Sequence, residues 1–366
     1  MATRCKVLGA GLSGCALTAA ARALGWDVVM ADASEEALKR AQKEIFPNRH
    51  GRWDTAVQTE VSAAGPRGGF DVILVAVEPA LAVAAGIEAL GEKPKALVLG
   101  SPPCPPSLER ADELAKAAAA AGIPGYCMFE HPVSRGVELL QEMVSARQIG
   151  EVQSIEVEWR DHWDGILKGM PWHSRVSDAV LGNWERGGGA AGEHAQAVHL
   201  WTVLAAALGK GRVAEVGAMV SYAQDGEAMY DERFDALLRT DSGFSGRVVC
   251  DLLTKPARKR ARVHGADGMI ELSFLHTGES DAIFLQRSGA AEKITPVHKK
   301  RAEDYQGLLR HVYFSYKDGK PSPVSLERGL DTAVMIAAGH MSEGIRGRVR
   351  IDWEQGWAAE AIAPAM

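Results

Sequence analysis

Residues 5–32 read CKVLGAGLSGCALTAAARALGWDVVMAD, and this stretch decides the fold of the first half of the chain. It reads as strand, glycine turn, helix and second strand. Residues 5–8 are a short apolar run, and Gly9, Gly11 and Gly14 follow in the spacing G-x-G-x-x-G. Residues 16–24 are rich in Ala and Leu, good helix formers. Gly25 stops that helix, and Val28–Met30 begin a buried strand that ends at Asp32. Each glycine has a separate task. Gly9 lets the chain turn tightly out of the strand, Gly11 leaves a pyrophosphate room to approach the backbone, and Gly14 lets helix pack on strand. Leu12 and Ser13 then open a helix whose free N–H groups and positive dipole end face the phosphates. Asp32 follows roughly 20 residues on, where a carboxylate bonds both ribose hydroxyls of an adenosine and repels a 2′-phosphate. The expectation is a nicotinamide dinucleotide held at Gly9, Gly11, Leu12, Ser13, Gly14 and Asp32, with NAD favoured over NADP.

The chain has 366 residues, 46% hydrophobic and 24% charged, which suits two globular domains each with a sizeable core. A net charge of −6 gives no reason to expect a nucleic acid or an anionic membrane as partner. No apolar run approaches the roughly 18 residues of a spanning helix. The start runs straight into a strand, so no signal peptide is expected. The five cysteines, Cys5, Cys15, Cys104, Cys127 and Cys250, are scattered without metal-ligand or C-x-x-C spacing. Free thiols, a cytoplasmic location and no metal are therefore expected.

Strands alternate with helices up to residue 129. Residues 34–46 predict a helix capped by Ser34, 47–69 are polar and irregular, and 70–77 predict a third strand. Helix 80–90, strand 96–99, a proline-dense turn from Gly100 to Pro106, helix 108–121 and strand 126–129 follow. This alternation implies a doubly wound parallel sheet, whose ligands lie beyond the carboxyl ends of the strands. That rule brings Glu78, the Ser101-Pro102 turn and Glu130-His131 toward a nicotinamide ring.

After residue 150 the pattern changes. Residues 154–160 alternate as half-buried strands do. Further strands are predicted at 213–222, 233–239, 245–253, 261–264, 269–272 and 282–286. Short connections make this sheet mostly antiparallel. One helix, 190–208, interrupts it, and a closing helix, 326–344, returns to the first domain. The long loop 161–189 carries His162, Trp163, Lys168, Trp172, His173 and Trp184 before the run Gly187-Gly188-Gly189. Long loops are often functional, and its aromatic and basic groups suit a polyhydroxylated or acidic small molecule. Lys168, Trp172 and His173 are expected to bind it. Glu193 and His194 are read as the first turn of the following helix, with His199 a turn and a half later. All three are candidates against the alternatives of a dipole partner and structural histidines.

The order of these segments resembles the glucose–fructose oxidoreductase / inositol 2-dehydrogenase family (Gfo/Idh/MocA) nearly end to end. The N-terminal LGAGLSG and Asp32 look like its cofactor site. VAVEP at 75–79 is similar to its strand and following turn, which adds Val77, Glu78 and Pro79 to the cofactor contacts. VELLQEMVSARQIGEVQSIEVEW at 137–159, the glycine run and helix at 187–201, VHGADGMIEL at 263–272 and SLERGLDTAVMIAAGHMSEG at 325–344 complete the likeness. The resemblance implies an α/β chain of three parts. Residues 1–127 would form a doubly wound Rossmann domain. Residues 128–345 would form an α+β domain with a large, mostly antiparallel, open-faced sheet. A tail, 346–366, would return to the first domain. It also implies hydride transfer at a secondary alcohol of a sugar, inositol or related metabolite, and a homodimer or homotetramer built on the open sheet face.

The sequence departs from the family at its reactive positions. Where the family usually carries Glu-Lys-Pro, Gly100-Ser101-Pro102 stands, without the lysine. Glu193 takes the place of the family's Asp, and the residue four later is Ala197 rather than His. Glu130-His131 falls where Asn-Arg is frequent. Oxidising an alcohol needs a base with a pKa near ambient pH, and histidine needs no retuning for this. The expected acid/base is thus His194 first and His131 second, with Glu193 orienting it. Glu130 and His199 join Lys168, Trp172 and His173 among the substrate contacts. Two rival readings remain: an oxidoreductive glycosidase or lyase that recycles its NAD, and a non-catalytic NAD-binding sensor.

Overall fold

The computed structural model describes residues 2–277 and 280–365. The chain divides into two compact units. Residues 1–104, 110–133 and 301–330 form the first, and residues 105–109, 134–300 and 331–366 the second.

The first unit is built on six strands: β1 (Arg4–Leu8), β2 (Asp27–Asp32), β3 (Gln58–Val61), β4 (Val72–Val75), β5 (Ala96–Leu99) and β6 (Gly125–Cys127). They are hydrogen-bonded in the order β3-β2-β1-β4-β5-β6, all parallel. β4 and β5 are buried at every residue, as strands covered on both faces must be. The winding reverses between β1 and β4, which puts the ligand crevice of such a sheet at their carboxyl ends. Ser34 caps the helix after β2, its hydroxyl accepting from Ala37 N–H at 3.2 Å. That helical stretch runs on through a π-turn to Arg49, with Pro47 inside its last segment. The helix expected from 108 begins at Ala111, because Leu108 and Arg110 have φ of +56° and +57°.

Three features of this unit were not legible in the sequence. β3 is a polar edge strand inside the stretch read as irregular. The helix Arg301–Asp318 packs along Leu12–Ala23, its Tyr313 ring 6.3 Å from Trp26. Lys6, in the middle of β1, is wholly buried. Its ammonium donates to Ala64 O at 2.8 Å, Pro66 O at 3.1 Å and Glu92 Oε1 at 2.5 Å. The buried charge is thereby fully compensated, as it must be, and it pins the polar stretch between β3 and β4 to the central strand.

The second unit holds a ten-stranded sheet. Its strands are β7 (Val152–His162), β8 (Val213–Asp225), β9 (Ala228–Thr240), β10 (Ser245–Asp251), β11 (Leu253–Gly265), β12 (Gly268–Thr277), β13 (Ser280–Arg287), β14 (Lys293–His298), β15 (Val349–Ile351) and β16 (Ile362–Pro364). The order is β14-β13-β12-β11-β7-β10-β9-β8-β15-β16, and only β7 and β10 run parallel. The tail 346–366 was expected to return to the first domain. Instead it supplies β15 and β16 and extends this sheet beyond β8. The helix Leu326–Ile345 belongs to the first unit as far as Leu330 and to the second from Asp331.

One face of the sheet is covered by the helix Ala195–Ala207, which is mostly apolar and buried at ten of its thirteen residues, as an enclosed helix is. Its Trp201 is fully buried and donates Nε1–H to Ile155 O at 3.0 Å. The opposite face carries cross-strand ion pairs, among them Arg247–Glu156 at 2.7 Å and Arg262–Glu156 at 3.1 Å. Met219 and Leu237 stand exposed on the outward positions of β8 and β9, 77% and 66% accessible.

Candidate active site

In the first unit the glycine turn has the geometry its spacing demands. Gly9 has φ +104°, and its N–H donates to Ala31 O at 2.8 Å. A Cβ at Gly9 would lie 2.5 Å from Ala76 O, and one at Gly14 only 1.9 Å from Gly9 O. Gly11 is different: a Cβ there would meet nothing within 4 Å. Gly9 and Gly14 are thus required by the fold. Gly11 is not, and the space beside it is wide enough for a pyrophosphate to approach the backbone. The helix Leu12–Ala23 has Gly11 as N-cap with no side-chain cap and no acidic residue in its first turn. Its positive end is therefore available to an anion. Asp32 Oδ2 accepts from Ala10 N–H and Oδ1 from Ser34 N–H, both at 2.8 Å. The carboxylate is locked to the glycine turn while each oxygen keeps acceptor capacity for a ribose hydroxyl. These residues fit an NAD adenosine and pyrophosphate.

Val77, Glu78 and Pro79 follow β4, with Glu78 the N-cap and Pro79 the first residue of the helix Pro79–Leu90. The Ser101–Pro102 bond after β5 is cis, and Pro102 is buried. Beyond β6, Glu130 is 7% accessible and His131 half-buried, with His131 Nδ1 3.4 Å from Glu130 Oε1. β4, β5 and β6 are adjacent, so these three turns leave the same end of one parallel sheet.

In the second unit the glycine run is structural. Gly187 and Gly189 have φ of +91° and +74°. The short helix Gly189–Glu193 starts over Asp231, whose Oδ2 accepts from Ala191 N–H at 2.8 Å. A Cβ on Gly189 would lie 1.8 Å from Asp231 Oδ1, so only glycine lets this carboxyl reach the helix. Asp231 is fully buried, and burial raises its pKa to about 8.

The helix expected over 190–208 is broken. Glu193 ends the first piece, His194 is the junction with φ −105°, and Ala195–Ala207 is the second piece. Glu193 and His194 therefore do not sit in a first helical turn. His194 is 1% accessible, with Nε2 3.1 Å from Asp251 O. A carbonyl only accepts, so Nε2 carries the proton. Burial first, then the charge of Lys259, lowers its pKa to about 3. An imidazole so enclosed and so weakly basic is poorly suited to act as a general base at neutral pH. His199 is wholly buried, its Nδ1 2.9 Å from Thr332 Oγ1 on the helix Leu326–Ile345. Of the loop residues, Lys168 ends the helix Trp163–Lys168 and is exposed. Trp172 and His173 are half-buried with rings 5.9 Å apart.

The fold so defined has known counterparts. Residues 137–271, within the second unit, match the sequence model described as GFO/IDH/MocA C-terminal domain. No curated protein sequence matches the chain. Among solved structures, levoglucosan dehydrogenase in complex with NADH and levoglucosan is 16% identical with TM-score 0.76, over 96% of this chain and 99% of that one. An oxidoreductase from Agrobacterium radiobacter, in complex with NAD+, L-tartaric acid and magnesium, is 16% identical with TM-score 0.73, over 96% and 98%. The WlbA dehydrogenase from Bordetella pertussis, in complex with NADH and UDP-GlcNAcA, is 17% identical with TM-score 0.71, over 96% and 99%. At these identities the likeness is one of fold. No helix among the described residues is long and apolar enough to cross a membrane.

Proposed function

We propose that the protein is an NAD-dependent oxidoreductase that moves a hydride between the nicotinamide and a secondary alcohol or ketone of a sugar, sugar acid or inositol-like metabolite. The observation that carries this is the cradle of the first unit: an uncapped helix start, open space at Gly11 and the Asp32 carboxylate tied to the glycine turn. The NAD+, NADH and sugar ligands named with the solved structures of this fold support the reading. When bound, the cofactor would supply the hydride acceptor. Gly9–Gly14 and Asp32 would hold its adenosine half, and Val77, Glu78, Pro79, Ser101 and Pro102 would line its nicotinamide end. His131 is the better acid/base candidate, because it is half-buried and has the Glu130 carboxylate beside it to orient the ring. Trp172, His173 and Lys168 would contact substrate.

Titration calorimetry with NADH and NADPH tests the reading directly. Binding of NADH at least tenfold tighter than NADPH is expected, and heat with neither nucleotide sinks it. Asp32→Asn removes the charge that repels a 2′-phosphate while keeping one acceptor oxygen. The NADH-to-NADPH preference should then fall by roughly tenfold, about 1.4 kcal/mol. An unchanged preference would assign Asp32 to the fold alone.

The outer sheet face, with Met219 and Leu237 exposed beside Arg–Glu pairs, is our candidate for self-association into a dimer or tetramer. Light scattering on Leu237→Lys, which puts a charge at that face, should show a smaller species than the parent. An unaltered mass would discard this surface.

A further inference from the structure

β11 and β7 pair antiparallel, with Val263 opposite Ile155, Ala261 opposite Val157 and Lys259 opposite Trp159. The first two pairs are fully buried, so by the two-residue period of a strand Lys259 and Asp161 share their apolar face. The neighbouring cations of β11 point the other way. Arg258 and Arg260 meet Glu158, and Arg262 meets Glu156 and Glu271, all on the outer side. Lys259 is thus the one basic residue of 258–263 directed to the apolar face, a costly placement for a charge unless something compensates it.

What surrounds it is part of an answer. The ammonium lies 5.2 Å from the Trp159 ring centroid, a cation–π contact. Asp161 Oδ2 stands 3.6 Å away, beyond hydrogen-bond reach. Asp161 Oδ1 is occupied by the His162 N–H at 2.8 Å, which fixes the carboxylate and leaves Oδ2 toward the lysine. Both side chains are 22% accessible, so the pair is recessed but open. A hydroxyl oxygen beside the gap could accept from the ammonium and donate to the carboxylate at once. The place in the fold fits this use. Asp161 is the penultimate residue of β7, β11 leaves its register with β7 between Leu253 and Arg258, and His194 lies edge-on to Trp159 with centroids 6.3 Å apart.

We propose that Lys259 and Asp161 form the hydroxyl-recognition pair of the second unit, with Lys259 the specificity-determining residue for a polyhydroxylated substrate. This rests on the oxidoreductase reading above and names the residues that would select its substrate class. The test uses the full chain with saturating NADH and a panel of sugars, sugar acids and inositols, read first by melting temperature and then by steady-state kinetics. Lys259→Met is expected to abolish the melting shift of the best ligand. It should also raise its KM by about 10- to 100-fold, the effect of losing a hydrogen bond to a charged group. The kcat should change far less, and the NADH dissociation constant should stay within about twofold. Lys259→Arg, which keeps the charge should the Met variant fold poorly, restores part of the loss. Asp161→Asn combined with Lys259→Met should be little worse than Lys259→Met alone, since the two groups act on one hydroxyl.

A variant set that loses stability with KM and ligand shifts unchanged overturns the proposal. So does a parent protein that binds NADH but responds to no member of the panel, a result that leaves the cofactor reading standing. A parent that binds no nucleotide sinks the oxidoreductase reading instead. In that case a polyol shift lost in Lys259→Met still supports the pair, and the absence of any shift removes it.

Discussion

Gly11→Ala is expected to fold as well as the parent and to bind NADH at least about tenfold more weakly, a loss of some 1.4 kcal/mol. The argument is geometric. The residue has φ −75°, which any amino acid adopts, and its Cβ would touch nothing within 4 Å. A methyl group there costs the protein nothing. It does occupy the space through which a pyrophosphate reaches the amides of Leu12 and Ser13. Gly14→Ala is the contrasting case, because its Cβ would sit 1.9 Å from Gly9 O, a backbone atom that cannot swing aside. Helix and strand must separate, and overpacking of this kind costs roughly 3 kcal/mol or more. Its melting temperature should fall by about 6 °C or more, with nucleotide binding lost as a consequence. Calorimetry and thermal melts on the two variants separate the cases. Parent-like NADH affinity in Gly11→Ala would mean that no dinucleotide lies over this turn.

The second large effect concerns pH. In the folded chain burial raises the Asp231 carboxyl to about 8, against 3.8 for the free group. Between those values the folded state holds a proton that the unfolded state has released, so stability is greatest at low pH and is lost as pH rises toward 8. The histidines act in the opposite sense. Burial lowers His194 to about 3 and His340 to about 4, against 6.5 for the free ring. Below pH 6.5 the unfolded chain takes up protons that these buried rings refuse, so stability falls on acidification, and His50 and His311 shift in the same direction. The two trends meet near pH 6.5. Between pH 6.5 and 8 the carboxyl dominates, at about 1.4 kcal/mol per pH unit, for a total loss of roughly 2 kcal/mol. Urea midpoints followed by tryptophan fluorescence should fall across this window in the parent and stay level in Asp231→Asn. A parent whose midpoint is flat or rises from pH 6.5 to 8 would show that Asp231 is ionised in the folded chain.

The geometry of the glycine turn was legible because its constraints are local. Gly9, Gly14 and Asp32 interact within one strand–turn–helix–strand unit, and each requirement leaves a mark at a set spacing. The second unit was harder. Its helix at 190–208 carries no visible break signal at His194. The break goes with the buried Asp231 that accepts from Ala191 N–H and with the Asp251 carbonyl that receives the His194 ring N–H, partners 40 and 57 residues away. Lys259 carries no sequence signal because it falls between the strands predicted at 245–253 and 261–264, whereas β11 runs through it. Only pairing with β7 assigns alternate residues to opposite faces.

By itself the sequence determined the doubly wound first unit, the mostly antiparallel second sheet, the glycine turn between strand and helix and the likeness to one family. Those follow from hydrophobic period, glycine spacing and the order of segments along the chain. Tertiary structure alone decided that Lys6 is buried against Glu92, that the tail lengthens the second sheet, that His194 is shut away from solvent, and that Lys259 faces Asp161. Each of these depends on contacts between residues far apart in sequence. Side-chain protonation and reach depend on burial and neighbouring charge, which exist only once those contacts have formed.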